Sequence, residues 1–248
     1  MFTGVSISGR PEEFSQAAYP LEEPESRKIQ LPYDNTFESI WEYKESYLSG
    51  HIDFFSIIGP VCPICGDKDC YSQIFPYFRY AIELFPEFNK ELIPIARFLC
   101  QRRGSSFSML PIQLIPYLQY TVSAVIGTLL FGFQYWQMGR QGFYGASVEV
   151  DADSLVTPWL VACWLAIVAR GFRRAHAVLG RFYNLSDVHT LAHRTVPWKE
   201  VSGYFLAFSL KPTIPWAPMV LTLCRRYNRA TGRFLFGVPS QQRAAILK

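Results

Sequence analysis

Residues 61–111 read VCPICGDKDCYSQIFPYFRYAIELFPEFNKELIPIARFLCQRRGSSFSMLP, and the fold turns on how their four cysteines are used. Cys62-Pro-Ile-Cys65-Gly66 is the turn that wraps a tetrahedral metal: two thiols two residues apart, then a glycine. The glycine reaches positive φ, so that backbone amides can point at the sulfurs. Cys70 follows, and Cys100 closes the stretch just before Gln-Arg-Arg-Gly. A thiolate-only site favours zinc, because the ion makes no ligand-field demand and soft sulfur satisfies it. The expected fold is therefore α+β, a small zinc-ribbon β module followed by a mainly α-helical domain.

The second half of this ribbon is irregular. A symmetrical ribbon repeats Cys-x-x-Cys-Gly, yet the second turn reads Cys100-Gln-Arg-Arg103-Gly104. Arginine cannot ligate zinc, so the fourth ligand is Cys70 or is missing, with His51 as a substitute should Cys70 fail. Residues 93–100 form the strand that delivers the last sulfur. Tyr71, Phe75, Tyr77, Phe78, Tyr80, Phe85 and Phe88 suggest short aromatic strands stacked over the metal, broken at Pro76 and Pro86. With four protein thiolates no coordination position remains for water, so the zinc is structural.

The segments CPICGDKDC, RFLCQRRG and SFSMLPIQLIPYLQYT together resemble a family of transposase-like zinc-ribbon proteins. These couple a cysteine ribbon to a helix-turn-helix, as in the amino-terminal, non-catalytic part of insertion-sequence transposases. In that family a basic patch after the last cysteine precedes a threonine/serine-phenylalanine-serine step and a leucine-proline pair. Ser106, Phe107, Ser108, Leu110 and Pro111 occupy those places here. The resemblance covers residues 61–120 and fades towards residue 172. Some members keep a single cysteine in the second turn, which implies Cys62, Cys65, Cys70 and Cys100 as the ligand set and DNA as the partner.

Upstream, residues 1–33 are acidic and proline-dotted and read as a flexible lead-in. Residues 36–50 read as a short amphipathic helix stopped by Gly50, and residues 51–62 as strand-like. Downstream, residues 121–137 form an apolar helical run. Residues 140–151 have room for a short second helix. Thr157-Pro158 is a good cap for a long helix with Trp159, Trp164, Ile167 and Phe172 as core contacts. Helix, short helix, capped helix is helix-turn-helix order. The domain reading is thus 1–50 lead-in and helix, 51–111 ribbon, 112–197 helical domain, and 198–248 an extension of unassigned fold.

Charge divides along the chain. Of its 248 residues, those up to Glu91 carry fifteen acidic and seven basic side chains, and the rest five and seventeen. A basic second half suits a polyanion surface, although ordinary solvated helices look the same. Arg102 and Arg103 flank the ribbon, while Arg170, Arg173, Arg174 and Arg181 recur at helical offsets and would grip phosphates. The long helix has no Arg, Asn or Gln near its start to reach base edges, so backbone contacts are better supported than base readout. The rival from another class is a zinc-stabilised protein-interaction module that uses the aromatics of residues 71–88.

Enzyme chemistry finds no seat. After Glu91 the acids are Glu149, Asp151, Asp153, Asp187 and Glu200, too clustered for a two-metal nuclease, and no phosphate-cradling Gly-Lys loop exists. No small-molecule substrate is implied. His189 and His193 sit four apart without the glutamate of a zincin and read as surface histidines. Cys163 and Cys224 stand alone in apolar surroundings as core residues. Residues 115–136 are long enough to span a bilayer, yet Gln113, Gln119, Gln134 and Gln137 punctuate the uncharged run, which suits a buried helix better. The polar start and the clustered thiols point to a reducing cytoplasm.

Overall fold

The computed structural model describes residues 29–34, 36–140, 142, 145–147, 156–188, 197–213 and 215–237. It is mixed α+β. Four strands, β1 (Ile29–Tyr33), β2 (Tyr71–Glu83), β3 (Asn89–Cys100) and β4 (Ser105–Pro111), form one sheet in the order β1-β4-β3-β2. β1 runs parallel to β4, and the other neighbours are antiparallel.

Two expectations fail within this sheet. Instead of short strands broken at Pro76, β2 is one strand of 13 residues. The proline is tolerated because the pairing with β3 slips register between Ile74 and Tyr77, where no ladder donor is needed. The lead-in also ends earlier than expected. Ile29–Tyr33 is a strand paired with β4, its alternating Ile29, Leu31 and Tyr33 turned to the sheet's core; five residues with a proline among them are too short a run to outweigh the acidic, proline-dotted context.

Two helices flank the sheet. In α1 (Ile40–Leu48) the Ser39 hydroxyl accepts from the Glu42 amide at 3.2 Å, and the Tyr43 hydroxyl donates to the Pro94 carbonyl of β3 at 3.0 Å. Residues 51–62 are not a strand; they hold α2 (Phe54–Ile58). The Asp53 carboxylate caps its first turn by accepting from the Phe55 and Ser56 amides, each at 3.1 Å, and Gly59 at φ +77° ends it. A local cap outweighs a loose apolar alternation.

The other half is helical: α3 (Val122–Gln137), α4 (Pro158–Leu179), α5 (Pro197–Ala207) and α6 (Trp216–Thr231). The Thr157 hydroxyl accepts from the Leu160 amide at 3.2 Å, so the long helix starts at the predicted cap. α3 is buried on most sides, and among the described residues no helix is long and apolar enough to cross a membrane. The region after residue 197 is no appendage. α5 packs on α4 and α6 on α3, with Tyr204, Phe205 and Leu223 buried in the same core as Trp164 and Phe172. Burying each phenylalanine is worth about 1.5–3 kcal/mol.

Sheet and helices are tied at several points. Asp34, just after β1, pairs with Arg229 of α6 at 2.8 Å, and the Phe37 carbonyl accepts from Arg225 at 3.0 Å and Gln113 at 2.9 Å. Beyond α6, Phe234 enters the sheet's core while Leu235 and Phe236 enter the helical one. At the end of β2 the Ile82 amide donates to the Gln119 carbonyl at 2.9 Å and its carbonyl accepts from the Thr121 amide at 3.1 Å. This delivers Glu83 to the start of α3.

Burial pushes the Glu83 carboxyl from its ordinary 4.5 up to about 7, although hydrogen bonds from Thr121 and Ser123 oppose the shift. The folded state therefore binds the proton more tightly than the unfolded one. This contribution is greatest below pH ~4.5 and is lost as pH rises towards 7, on the order of 3 kcal/mol in all. Urea unfolding between pH 4.5 and 8 is expected to show that decline, and Glu83→Gln to flatten it. An unchanged profile in Glu83→Gln would assign the decline elsewhere.

Candidate metal centre

Cys62, Cys65, Cys70 and Cys100 converge. Their four sulfurs all lie within 4.8 Å of one another, with Cys65 and Cys70 at 3.0 Å and Cys70 and Cys100 at 3.9 Å. All are free thiols. Cys62 and Cys100 are buried, and Cys65 and Cys70 half-buried. No disulfide consumes the donors, and together they could hold a metal ion.

Local backbone chemistry explains the convergence. The Gly66 amide donates to the Cys62 carbonyl at 2.9 Å and the Cys62 amide to the Asp67 carbonyl at 2.8 Å, closing a tight turn around the first pair. That turn requires φ +81° at Gly66, the reason a glycine follows Cys65. Cys70 stands just before β2 and Cys100 ends β3. The register pairs Tyr71 with Cys100, and the Gln101 amide donates to the Cys70 carbonyl at 2.8 Å. The sheet thus supplies the third and fourth sulfurs from adjacent strands. His51 is engaged elsewhere, its Nδ1 2.9 Å from the Ser49 hydroxyl. Such crowding, first from the Cys65 sulfur and next from burial, holds the Cys70 thiol well above its ordinary range.

Aromatic rings back the cluster. Phe98 and Phe107 stack at 5.2 Å, and Tyr71 meets both edge-on at 5.9 and 5.8 Å. Only part of the expected aromatic set belongs here. Phe75 is 91% exposed, and Phe78 and Phe88 are also turned to solvent. The register slip at Pro76 separates Phe75 from the strand face that Tyr71 occupies.

The arginines fall into two groups. Arg102 and Arg103 lie in the exposed turn after Cys100, where Arg102 forms an ion pair with Asp67 of the first turn. This pairing links the two cysteine turns and holds the Asp67 carboxyl below the usual carboxylate range. Sequence reasoning missed it, although a signal existed: Asp67 and Arg102 each stand two residues after a cysteine. In the second group Arg174 lies near both Arg170 and Arg233. Arg173 donates from Nε to Glu200 Oε1 at 2.6 Å, with a second bond to Oε2. Arg174 donates to the Leu235 and Gly237 carbonyls at 3.2 and 3.0 Å. These two arginines fasten α4 to α5 and to the C-terminal segment. Arg170 is exposed; so is Arg181, which lies beyond the end of α4 and not on it.

Of the remaining candidates, Cys224 is fully buried, its thiol pushed up to about 12 by burial, and Cys163 is half-buried. His189, His193, Glu149, Asp151 and Asp153 lie outside the described residues. Comparison with protein-family models, with curated proteins and with solved structures found no match for this chain.

Proposed function

We propose that the protein is a non-enzymatic DNA-binding protein built around a structural zinc ion. The observation that carries this reading is the four-sulfur cluster set directly against the exposed turn that bears Arg102 and Arg103. Zinc–sulfur bonds of ~2.3 Å around a tetrahedron place sulfurs roughly 3.8 Å apart. The 3.9 Å between Cys70 and Cys100 matches that value, while the 3.0 Å between Cys65 and Cys70 is shorter and opens when an ion enters. Zinc bound by four thiolates keeps no open position for water, so it shapes the protein and performs no hydrolysis. The ion stiffens the second turn, where Arg102 is held by Asp67, and presents Arg103 to phosphates.

The resemblance to transposase-like zinc-ribbon and helix-turn-helix proteins supports the same reading, as does the order of α3, the helical residues 145–147 and α4. α4 begins Pro158-Trp159, with Trp159 exposed, and has no base-reading side chain in its first turn. Phosphate contact without sequence readout is the expected mode. Since Arg102, Arg173 and Arg174 are engaged within the protein, Arg103, Arg170 and Arg181 are the cations assigned to phosphates. Changing all three to glutamate is expected to reduce the salt slope of DNA binding by about 3 and to leave the fold intact. Duplex affinity measured against salt concentration checks it; an unchanged slope removes these arginines from the interface.

The exposed phenylalanines favour a second reading, a zinc-stabilised module that binds another protein. Phe75, Phe78, Tyr80 and Phe88 offer apolar area on the β2–β3 hairpin. Binding through such a face responds little to salt. No steep salt dependence together with loss of binding in Phe75→Ser/Phe78→Ser would establish this reading in place of the first.

A further inference from the structure

One face of the sheet carries two arginines that the fold leaves without a counter-ion. The register sets Tyr77 and Arg79 of β2 beside Ile95 and Ile93 of β3, and Arg97 of β3 beside Ser108 of β4, which pairs in turn with Gln30 of β1. Side chains alternate along a strand, so these residues share a face. The Gln30 side-chain amide donates to the Tyr77 hydroxyl at 3.1 Å, Ser108 reaches the same hydroxyl, and the charges of Arg79 and Arg97 both bear on it. Among the described residues neither arginine forms an ion pair. The carboxylates nearest in register are spoken for: Glu91 pairs with Lys44 of α1, and Glu83 lies against Thr121 and Ser123. Burial lowers the Arg79 guanidinium from its ordinary range, although Tyr77 opposes the shift. Its Nη2 has one long bond, 3.5 Å to the Ile115 carbonyl. Both arginines are half-buried, and no unbonded nitrogen of either is sealed off, so the remaining donors open to solvent.

We propose that this face binds the dianion of a phosphate monoester, held by the Arg79 and Arg97 guanidiniums with the Tyr77 hydroxyl as a third donor. Ligand classes fare differently here. An amine meets two cations. A carboxylate or a phosphodiester brings one negative charge and leaves one arginine unmet. A monoester dianion matches both, and the guanidinium fork fits its oxygens. Because Tyr77 accepts from Gln30, its own proton is left to donate to the ligand. The Ile115 carbonyl that steers Arg79 belongs to a loop in which Tyr117 holds φ +66°, a conformation that strains a tyrosine, and such strain gathers at ligand sites. The site depends neither on zinc nor on DNA, since Arg79 and Arg97 are not among the cations assigned to duplex phosphates.

The test uses the full chain as purified and follows the arginine Nε–Hε resonances, assigned through Arg79→Lys and Arg97→Gln. Methyl phosphate, a dianion at pH 8, is titrated against dimethyl phosphate at constant ionic strength. A saturable shift of both resonances with a Kd on the order of 1 mM is expected for the monoester, with binding roughly tenfold weaker for the diester. Arg97→Gln, confirmed folded by its melting curve, is expected to weaken the monoester about tenfold or more, and Arg79→Lys, which keeps the charge and loses the fork, to weaken it as well. Arg103→Gln, in the exposed turn after Cys100, should bind as the wild type does. No saturable shift, equal binding of monoester and diester, undiminished binding in folded Arg97→Gln, or an equal loss in Arg103→Gln would overturn the proposal.

Discussion

Cys62→Ser is expected to yield a protein that carries no zinc and does not hold its sheet. Structural zinc sites supply about 10–16 kcal/mol of folding free energy in small peptides, more than most whole domains have to spare. The four sulfurs sit where the first turn, the start of β2 and the end of β3 meet, so an ion held there would tie three segments, and its loss would release them at once. Serine keeps the volume and removes the soft ligand. Elemental mass spectrometry with a thiol titration should give one zinc per wild-type chain and four protected thiols of the six. In the variant the zinc should be absent and the thermal transition broadened or lost. The aromatic stack of Tyr71, Phe98 and Phe107 could in principle hold the sheet unaided. A Cys62→Ser protein that melts like the wild type with unchanged metal content would mean that it does, and the zinc proposal would fall.

The second large effect is expected far from the cysteines. Gly171 lies in the middle of α4, where a glycine ordinarily sacrifices about 1 kcal/mol of helix propensity against alanine. Here an added Cβ would stand 2.6 Å from the Leu235 carbonyl oxygen and 2.7 Å from a Phe236 ring carbon. The close approach lets the C-terminal segment lie against the helix, with Arg174 bonded to the same carbonyl and Phe236 on Phe172. Overpacking costs typically 1–3 kcal/mol and rises with size. Gly171→Ala should therefore destabilise despite its better propensity, and Gly171→Val should do so by ~3 kcal/mol or more. Gly203 in α5 is the control. Its added Cβ meets nothing closer than 3.7 Å, so Gly203→Ala should stabilise by up to ~1 kcal/mol. Chemical denaturation of the variants measures both signs. A stabilised Gly171→Ala would show that the C-terminal segment does not press on α4.

What the sequence made legible was whatever depends on near neighbours. The Cys62–Gly66 turn, the strand ending at Cys100, the start of α4 at Thr157-Pro158 and the apolar α3 all declare themselves within a few residues. Contacts between distant segments were not legible. β1 is ordered by pairing with Phe107 to Pro111; Ile29, Leu31 and Tyr33 do alternate towards the core, but a run of five residues with a proline in it is too short to declare a strand alone. The fate of the arginines was hidden for the same reason. A row at helical spacing shows that side chains share a face, and says nothing of Glu200 arriving on α5 to meet Arg173 or of carbonyls arriving from residues 235 and 237 to meet Arg174. Phe234, Leu235 and Phe236 resemble a tail in sequence and are core in space, because Phe234 enters the sheet's core and the groove at Gly171 takes Leu235 and Phe236.

The parallel pairing of β1 with β4 also has a temporal meaning. β2, β3 and β4 follow one another in sequence, so their turns close at modest entropic cost. β1 must wait for them, since its template is completed only when β4 has paired with β3. It is expected to be the late-arriving strand, unpaired when the rate-limiting barrier is crossed. Weakening it should leave the refolding rate nearly untouched and shorten the lifetime of the native state, making this edge the first to open.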